Sequence, residues 1–276
     1  MPPRRLSLLF ACAIAALAVG CDTGPTYPSA RLTESLQQVL REEHFDRASV
    51  RLIDHTVAVQ LEHPEALQER EGQIGIGPAF EETVRKLLIG MHRVLLSSDA
   101  NVRFYVLLLS DPKLPGAYLT IVRNVDDVRR ANAMMIDSTE MFYRTVFKFN
   151  YAGPAPLTLE QYIPQDIQLE EFLSWQMAQR IQYALITELQ AQGIAKVGRC
   201  GGRFQNGEFA FTLDVAPMDG AALDEATMRR IFHTSTNVIA KVLSSYGFDE
   251  FQQVRLVHLS TGRNVVLPKA NLDVFR

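Results

Sequence analysis

The chain has 276 residues, of which 47% are hydrophobic and 21% are charged. This composition supports a folded core and differs from that of a disordered chain. The 28 basic and 31 acidic residues give a formal net charge of -3. Because no element carries a dense cluster of Lys and Arg, the sequence argues against nucleic-acid binding.

The first twenty residues have the pattern of an export signal. Arg4 and Arg5 precede the apolar run 6–19, which is shorter than the roughly 20 residues that a membrane-spanning helix needs. The run ends in Leu17-Ala18-Val19-Gly20-Cys21, which resembles the lipobox of bacterial lipoproteins, with Ala18 where leucine is more common. The resemblance implies a signal peptide over residues 1–20 and a lipid on Cys21. A soluble secreted protein and an uncleaved anchor are the alternatives.

A lipid on Cys21 would hold the protein on a membrane of the bacterial cell envelope, with membrane lipid as its first partner. We expect the fold to face the periplasm, on either the inner or the outer membrane. Residues 21–30 contain turn formers and no apolar periodicity, which predicts a short tether. Cys12 leaves with the signal peptide, so Cys200 is the remaining thiol and no internal disulfide is expected.

Residues 31–150 are predicted to form a first α+β module. A helix follows Thr33 as its N-cap, and a hairpin turns at Asp54-His55. The clearest pattern is an apolar stripe at helical spacing after Pro78, the expected first helical residue. The remaining predictions are a loop over 62–76, strands near 102–110 and 117–123, and a trailing helix over 125–142, with strand-like alternation over 143–151.

Residues 151–165 are rich in proline and are expected to link this module to a second one, residues 166–276. The second module begins with a long helix over 166–192. A hairpin of strands 195–200 and 208–215 then turns at Asn206-Gly207. The last predicted elements are a helix over 224–246, with Asp224 as its N-cap and Gly247 as its stop, and strands 251–260 and 264–268.

The two modules show an internal similarity. Val94-Leu-Leu-Ser-Ser98 recurs as Val242-Leu-Ser-Ser245 about 147 residues further on, each followed by a strand pattern. Chance similarity of two amphipathic segments is the alternative, but the element order agrees as well. The predicted fold is therefore α+β, with two similar helix–hairpin–helix–hairpin halves whose antiparallel sheets carry helices on one face. In element order each half resembles the periplasmic modules of secretion-ring lipoproteins and BON domains, although no motif of either family is present.

Known catalytic motifs do not occur in the sequence. The six histidines include no HExxH pair, and His92 is expected on the exposed side of its helix. No catalytic residue, cofactor or metal site is predicted. The one reactive candidate is Cys200, flanked by Arg199 and Arg203, whose charges would lower the pKa of a nearby thiol. The alternative is a small buried side chain beside a bend at Gly201-Gly202.

These features favour a non-enzymatic interaction or assembly module that is held at the envelope by lipid and binds an envelope protein partner. The alternative is an envelope ligand-binding protein or hydrolase with a site near Cys200 between the two halves, since ligand sites often form between domains. A cleft with converging polar groups near that cysteine would favour ligand binding. A flat surface with an exposed sheet edge would favour assembly.

Overall fold

The computed structural model describes residues 26–151, 158–218, 220 and 222–272. The predicted signal peptide, the lipobox and Cys21 lie outside these residues. The elements of the first half are α1 Leu32–Glu42, β1 Ser49–Ile53, β2 Thr56–Glu62, β3 Leu67–Arg70, β4 Gln73–Ile76, α2 Phe80–Leu95, β5 Phe104–Ser110, β6 Ala117–Asn124, α3 Val125–Asn132, α4 Ser138–Arg144 and β7 Val146–Tyr151. Those of the second half are α5 Leu159–Tyr162, α6 Leu169–Leu185, β8 Ala195–Val197, β9 Gly201–Gln205, β10 Glu208–Leu213, β11 Val215–Pro217, α7 Glu225–Tyr246, β12 Gln253–His258, β13 Asn264–Pro268 and α8 Lys269–Leu272.

The first sheet has the strand order β1-β2-β5-β6-β7. Two hairpins, β1-β2 and β5-β6, supply four of its strands. Because α2 returns the chain to the end of the sheet where β2 began, β5 runs parallel to β2. Strand β7 then forms one edge of the sheet, antiparallel to β6.

The second sheet has four strands, in the order β13-β12-β10-β9, and repeats the connectivity of β1, β2, β5 and β6. Helix α7 joins the hairpins β9-β10 and β12-β13, and β10 is parallel to β12. The fold is α+β, as predicted. Each sheet is mixed: its hairpins are antiparallel, as expected, whereas the helical crossover between them makes β2 parallel to β5 and β10 parallel to β12. The two sheets share a strand order, and the common origin of the halves stays a prediction.

The first sheet is buried on both faces. One face packs with α1 and α2, and the other packs with α6, so the neighbouring residues Val57 and Ala58 belong to different cores. The expectation that helices cover a single face is wrong for this sheet, and all of strand β5 is buried. In the second sheet, buried and partly exposed residues alternate along β10 and β12, which leaves one face turned to solvent.

Helix α6 lies between the two sheets. Phe172 packs on Phe104 of the first sheet, with ring centres 5.1 Å apart. On its other side the helix approaches β9, where a Cβ atom at Gly202 would lie 2.2 Å from the carbonyl oxygen of Ser174. Glycine is therefore needed at this crossing. The Gly201-Gly202 pair lies within β9 and allows helix and strand to touch.

A buried, hydrogen-bonded cluster joins the two halves. Arg144 of α4 is 3% exposed and donates to Asp127 and Glu140, at 2.7 Å each. Arg180 of α6 donates to the same Glu140 oxygen at 2.9 Å, and the hydroxyl of Tyr246 of α7 donates to Asp127. Although burial alone would raise the pKa of Glu140, the hydrogen bonds from Arg180 and Arg144 lower it. Two carboxylates thus face two guanidinium groups, which balances the buried charge.

Side chains of α6 also satisfy the end of α4. The last carbonyl oxygens of a helix have no partner within the helix and need one elsewhere. The three successive carbonyl oxygens of residues 143–145 accept hydrogen bonds from Arg180, Gln176 and Gln179, at 3.0, 2.9 and 2.9 Å. Hydrogen bonds as well as apolar contacts therefore fix α6 against the first half.

Two segments of the first half differ from the sequence-based predictions. Residues 62–76 contain the hairpin β3-β4 rather than a loop. Its strands have four residues each and are mostly exposed, so they lack the apolar alternation that would reveal them. The trailing helix is divided into α3 and α4, and Asp137 caps the second of these by accepting a hydrogen bond from the amide of Glu140 at 2.7 Å.

Other element boundaries also differ. Helix α1 has Arg31 rather than Thr33 at its N-cap, and α2 begins at Phe80 rather than Pro78. The long helix of the second half is α-helical only to Leu185 and continues as a π-helical turn over Ile186–Gln190. The expected strand 195–200 is divided, because β8 pairs with β11 and the hairpin at residues 206 and 207 uses β9 instead.

The described part of the predicted tether lies against the fold. The amide of Tyr27 donates to the carbonyl oxygen of Ser97 at 3.3 Å, and the amide of Ser29 donates to Asp99 at 2.6 Å. In the predicted linker, α5 packs on the first sheet, and Leu159 is buried in the core that contains α6. The described residues of both the tether and the linker therefore contact the fold.

We expect Arg144→Met to lower the free energy of unfolding by about 3–5 kcal/mol, because Asp127 would remain buried without its cationic partner. Urea unfolding followed by circular dichroism measures this loss. Arg263→Met is the matched control, since the Arg263–Glu225 pair is exposed, and it should cost less than about 1 kcal/mol. Equal losses in the two variants would contradict a structural role for the buried cluster.

Candidate functional site

Strand β7 carries two different surfaces. Successive side chains of a strand point to opposite faces, so Val146, Lys148 and Asn150 share one face and Phe147 and Phe149 share the other. The first set faces α6, where Lys148 lies over a ring of that helix and Val146 is buried in the shared core. The second set borders the core that contains α1 and α2. The two faces of β7 therefore have different surroundings.

The inward face of β7 borders a cavity of about 240 Å³ between the first sheet, α5 and α6. It lies between the two halves, where the sequence-based alternative expected a ligand site, but Cys200 is not among its lining residues. Its apolar lining comes from both halves, and its polar lining includes hydroxyl, carboxyl and amino groups. The lining residues are Val106, Thr120, Val122, Lys148, Tyr162, Ile163, Pro164, Gln165, Ile167, Glu171 and Trp175.

Lys148 is the charged group that distinguishes this cavity. Its amino nitrogen lies 3.0 Å from the centre of the Trp175 ring, a cation–π contact. Within the described residues, no carboxylate forms an ion pair with it. Burial lowers the pKa of Lys148 to about 7; the negative charge of Glu171 opposes this shift and the positive charge of Arg199 adds to it.

The hydroxyl wall of the cavity is held in place by hydrogen bonds. Thr120 lies directly opposite Lys148 in the register of β6 and β7. Its hydroxyl is hydrogen-bonded to that of Tyr162, and the amide of Asn150 donates to Tyr162 at 2.7 Å. Burial raises the pKa of Tyr162, so this hydroxyl stays protonated at neutral pH.

Glu171 borders the cavity from helix α6. Burial raises the pKa of its carboxyl group, while the charge of Lys148 and a hydrogen bond from the backbone of Gln168 lower it. Gln168 is the N-cap of α6, so this contact also helps to cap the helix. A carboxylate has about four acceptor positions, and one bond to a backbone amide leaves others free.

The outward face of β7 forms an exposed aromatic surface, which we call the aromatic edge. It consists of the exposed Phe149 and Tyr151 and the partly buried Phe147 of β7, together with the neighbouring exposed Phe142 and Tyr143 of α4. The ring of Phe142 lies 5.5 Å from that of Phe147 and 5.7 Å from that of Tyr143, centre to centre. Tyr151 is 67% exposed and Phe149 is 42% exposed. A cluster of exposed aromatic rings at a sheet edge is a candidate interaction surface.

The backbone of β7 is free along part of its outer side. The amide of Phe147 donates to the side-chain oxygen of Gln179 at 2.8 Å, so its N–H points away from β6. In an antiparallel strand the direction alternates, and the N–H groups of Phe149 and Tyr151 therefore also point outward. Gln179 covers the beginning of this edge, and in the described part of the chain no strand pairs with the rest of it.

The structure does not bring the predicted reactive residues together. Cys200 is buried, and burial raises the pKa of its thiol to about 11, the opposite of what a nucleophilic thiol needs. Arg203 lies on the solvent face of the second sheet, opposite Ala210 of β10. Arg199 is exposed, and its charge acts on Lys148 and Tyr162, so it is the one member of the predicted set associated with the cavity.

The histidines have structural partners where the sequence predicted solvent or packing. His92 was expected on an exposed helix face, but it is partly buried, with its Nε2 atom 2.8 Å from the hydroxyl of Tyr105. Burial lowers the pKa of His92 to about 4, so it is neutral at physiological pH. His258 is fully buried, with its Nε2 atom 2.9 Å from the carbonyl oxygen of Val215.

The cavity residues were not among the sequence-based candidates. A local signal does exist, because Lys148 alternates with the aromatic residues of β7 and therefore lies on the inward face of the strand. Trp175, its partner, is the only tryptophan of the chain. That a lysine at position 148 meets a tryptophan at position 175 depends on how α6 crosses the sheet, which no local pattern encodes.

No protein-family model matches the chain, and no curated protein matches its sequence. Among the described residues, no three His, Cys, Asp or Glu side chains are grouped as metal ligands would be. The helices of the same part of the chain include none that is long and apolar enough to cross a membrane. The geometry of β7 and its surroundings is therefore the basis for proposing a function.

We expect Lys148→Met to change how stability depends on pH. The pKa of Lys148 is about 7 in the folded protein and about 10.4 in an unfolded chain, so the unfolded state binds more protons between these values and wild-type stability rises with pH there. The variant lacks this contribution. We therefore expect the variant to gain stability relative to wild type at pH 6. This difference in the free energy of unfolding should shrink by about 3 kcal/mol between pH 6 and pH 10, after allowance for partial solvent contact.

Urea unfolding of both proteins at several pH values measures this difference, and other titrating groups cancel in the comparison. Lys196→Met is the control, since Lys196 is exposed on β8, and its difference from wild type should not vary with pH. A constant difference for Lys148→Met would mean that Lys148 is protonated throughout this range.

Proposed function

We propose that this chain is a lipid-anchored, non-enzymatic interaction module of the bacterial cell envelope that faces the periplasm. The aromatic edge is the observation that carries the proposal, because it combines exposed rings with outward backbone groups on one edge strand. Exposed apolar patches on soluble proteins commonly mark interaction sites. Aromatic residues are enriched in the centres of interfaces, where they supply much of the binding energy.

The partner that suits this edge is an extended strand of another envelope protein. In β-strand addition, main-chain hydrogen bonds provide affinity and alternate side chains provide specificity. Gln179 already pairs with the edge as a peptide group would, since its amide accepts from Phe147 and donates to the carbonyl oxygen of Thr145 at 2.9 Å. An added strand would continue this pairing at Phe149 and Tyr151, with its own apolar side chains against the rings.

The position of the anchor limits where such a partner can be. Five residues, or six Cα-to-Cα steps, separate Cys21 from Tyr27, where the described chain begins to bond with the fold. This length can span at most about 20 Å. A lipidated Cys21 would therefore keep the fold beside the bilayer, and two or three acyl chains would hold it there stably.

The hydrolase alternative receives no support from the geometry around Cys200. A nucleophilic cysteine needs a thiolate and an approach for substrate, whereas this thiol is buried and its pKa is raised by burial. Ligand binding between the halves is a separate possibility, and it is favoured by the cavity at Lys148 rather than by Cys200.

We expect Cys21→Ala to release the protein from the membrane fraction and to abolish incorporation of radiolabelled palmitate, because the thiol is the attachment point that the lipobox resemblance implies. Cell fractionation and autoradiography measure both effects. Cys200→Ala is the matched control and should keep the label and the membrane location. Palmitate label retained by Cys21→Ala would refute the predicted anchor.

Site-specific photo-crosslinking in cells tests the interaction surface. A photoreactive residue at position 151, which is 67% exposed, should form an adduct with a partner protein. Phe149→Pro removes one outward N–H and one ring, so we expect it to reduce the adduct several-fold. Edge positions tolerate proline, so the fold should remain intact.

Val266→Pro on β13 is the matched control. The amide of Lys269 donates to the carbonyl oxygen of Gln252 at 2.9 Å, and by alternation the N–H of Val266 points outward. Val266 is 39% exposed, close to the value for Phe149, and its replacement should leave the adduct unchanged. No adduct at position 151, or equal losses in both proline variants, would contradict strand addition at β7.

A further inference from the structure

We infer that the cavity between the first sheet and α6 binds a small amphiphilic carboxylate, with Lys148 as its charged contact. This site is separate from the aromatic edge and does not depend on it. Its charge, its hydroxyl groups and its apolar lining each argue for this class of ligand.

The amino group of Lys148 favours an anionic ligand. It lies over the Trp175 ring, which attracts a cation but accepts no conventional hydrogen bond from it. A lysine has three N–H donors, and among the described residues no carboxylate is close enough to pair with them. A partly buried, unpaired cation is costly, and Arg199 adds further positive charge nearby. A ligand carboxylate would supply the missing negative partner.

The hydroxyl groups give this carboxylate a second contact. Thr120 is the cross-strand neighbour of Lys148, and Tyr162 is bonded to Thr120 and Asn150, so their positions are fixed before a ligand arrives. One carboxylate oxygen would accept from the ammonium group of Lys148 and the other from a hydroxyl. Such charge-assisted hydrogen bonds are about twice as strong as neutral ones.

The rest of the cavity lining favours a ligand with a compact apolar group. Val106 and Val122 come from the sheet, and Ile163 and Ile167 come from the α5 region. The volume of about 240 Å³ lies below the roughly 300–1,000 Å³ of cavities for drug-sized ligands. A branched carboxylic acid of about six carbon atoms would fit better than a long acyl chain or a folded peptide.

Glu171 provides a test of the ligand's charge, because its carboxyl group borders the same cavity. As a carboxylate it would repel a bound carboxylate, so Glu171→Gln should strengthen binding at a pH low enough to keep Lys148 protonated, because the charge of Glu171 also favours that proton. A ligand with an ammonium group would show the reverse effect, because it would lose an anionic contact. The sign of this change therefore distinguishes a carboxylate from a cation.

The test uses the purified full-length mature protein in a non-ionic detergent. Isothermal titration calorimetry compares 4-methylpentanoate with its neutral isostere 4-methylpentanamide at about pH 6, where Lys148 is protonated. We expect the acid to bind at least about tenfold more tightly than the amide. Lys148→Met should remove this preference, Glu171→Gln should increase it, and Lys196→Met should leave it unchanged.

The groups that face Lys148 and titrate or carry charge are Glu171, Tyr162 and Arg199. Loss of the Lys148 proton should weaken acid binding by about tenfold between pH 6 and pH 9, with no change for the amide. This pH profile and the acid–amide comparison use the wild-type protein. They therefore test carboxylate binding even if Lys148→Met does not fold. Equal affinity for acid and amide, or no binding of either at about 10 mM, would overturn the proposal.

Discussion

The buried hydrogen bonds between α4 and α6 determine how the two halves lie on each other. Arg144 is 3% exposed and cannot be solvated, so it requires Asp127 and Glu140, while Arg180 and Tyr246 of the second half complete the set. Hydrogen bonds of this kind are directional, unlike apolar contacts, and they fix one relative orientation. Because β7 begins two residues after Arg144, the same bonds fix the distance between β7 and α6.

The distance between β7 and α6 shapes the surroundings of β7 on both sides. On the inward face it sets the width of the cavity, since Lys148 and Trp175 belong to the two elements that the cluster holds together. On the outer edge it places Gln179 of α6 against Phe147, which covers the first part of the strand and leaves the rest free. The pleat of the strand then separates the two surfaces, because adjacent side chains point to opposite faces. Strand β7 thus presents a lysine to the cavity on one face and aromatic side chains on the other.

Local chemistry accounts for the parts of the fold that the sequence predicted correctly. Helix α7 begins and ends where Asp224 accepts from the amide of Thr227 and Gly247 adopts a φ of 60°, both encoded by single residues. The turn at residues 206 and 207 has positive φ at both positions, as Asn-Gly permits. The cavity and the buried thiol of Cys200 depend instead on which distant elements meet. The arginines beside Cys200 in sequence suggested activation, but burial of the thiol dominates its pKa.

Because the two similar halves share a core, the first half does not cover its own sheet. If residues 31–150 stood alone, the face of the first sheet that carries Ala58, Phe104 and Val106 would be exposed, because α6 covers it. Each half of the sequence looks self-sufficient, since an amphipathic helix and alternating strands occur in both. However, α6 is buried on several sides and lacks the single apolar stripe that marks a surface helix. Its composition therefore indicates a helix between two layers, and this placement joins the two sheets through one shared core.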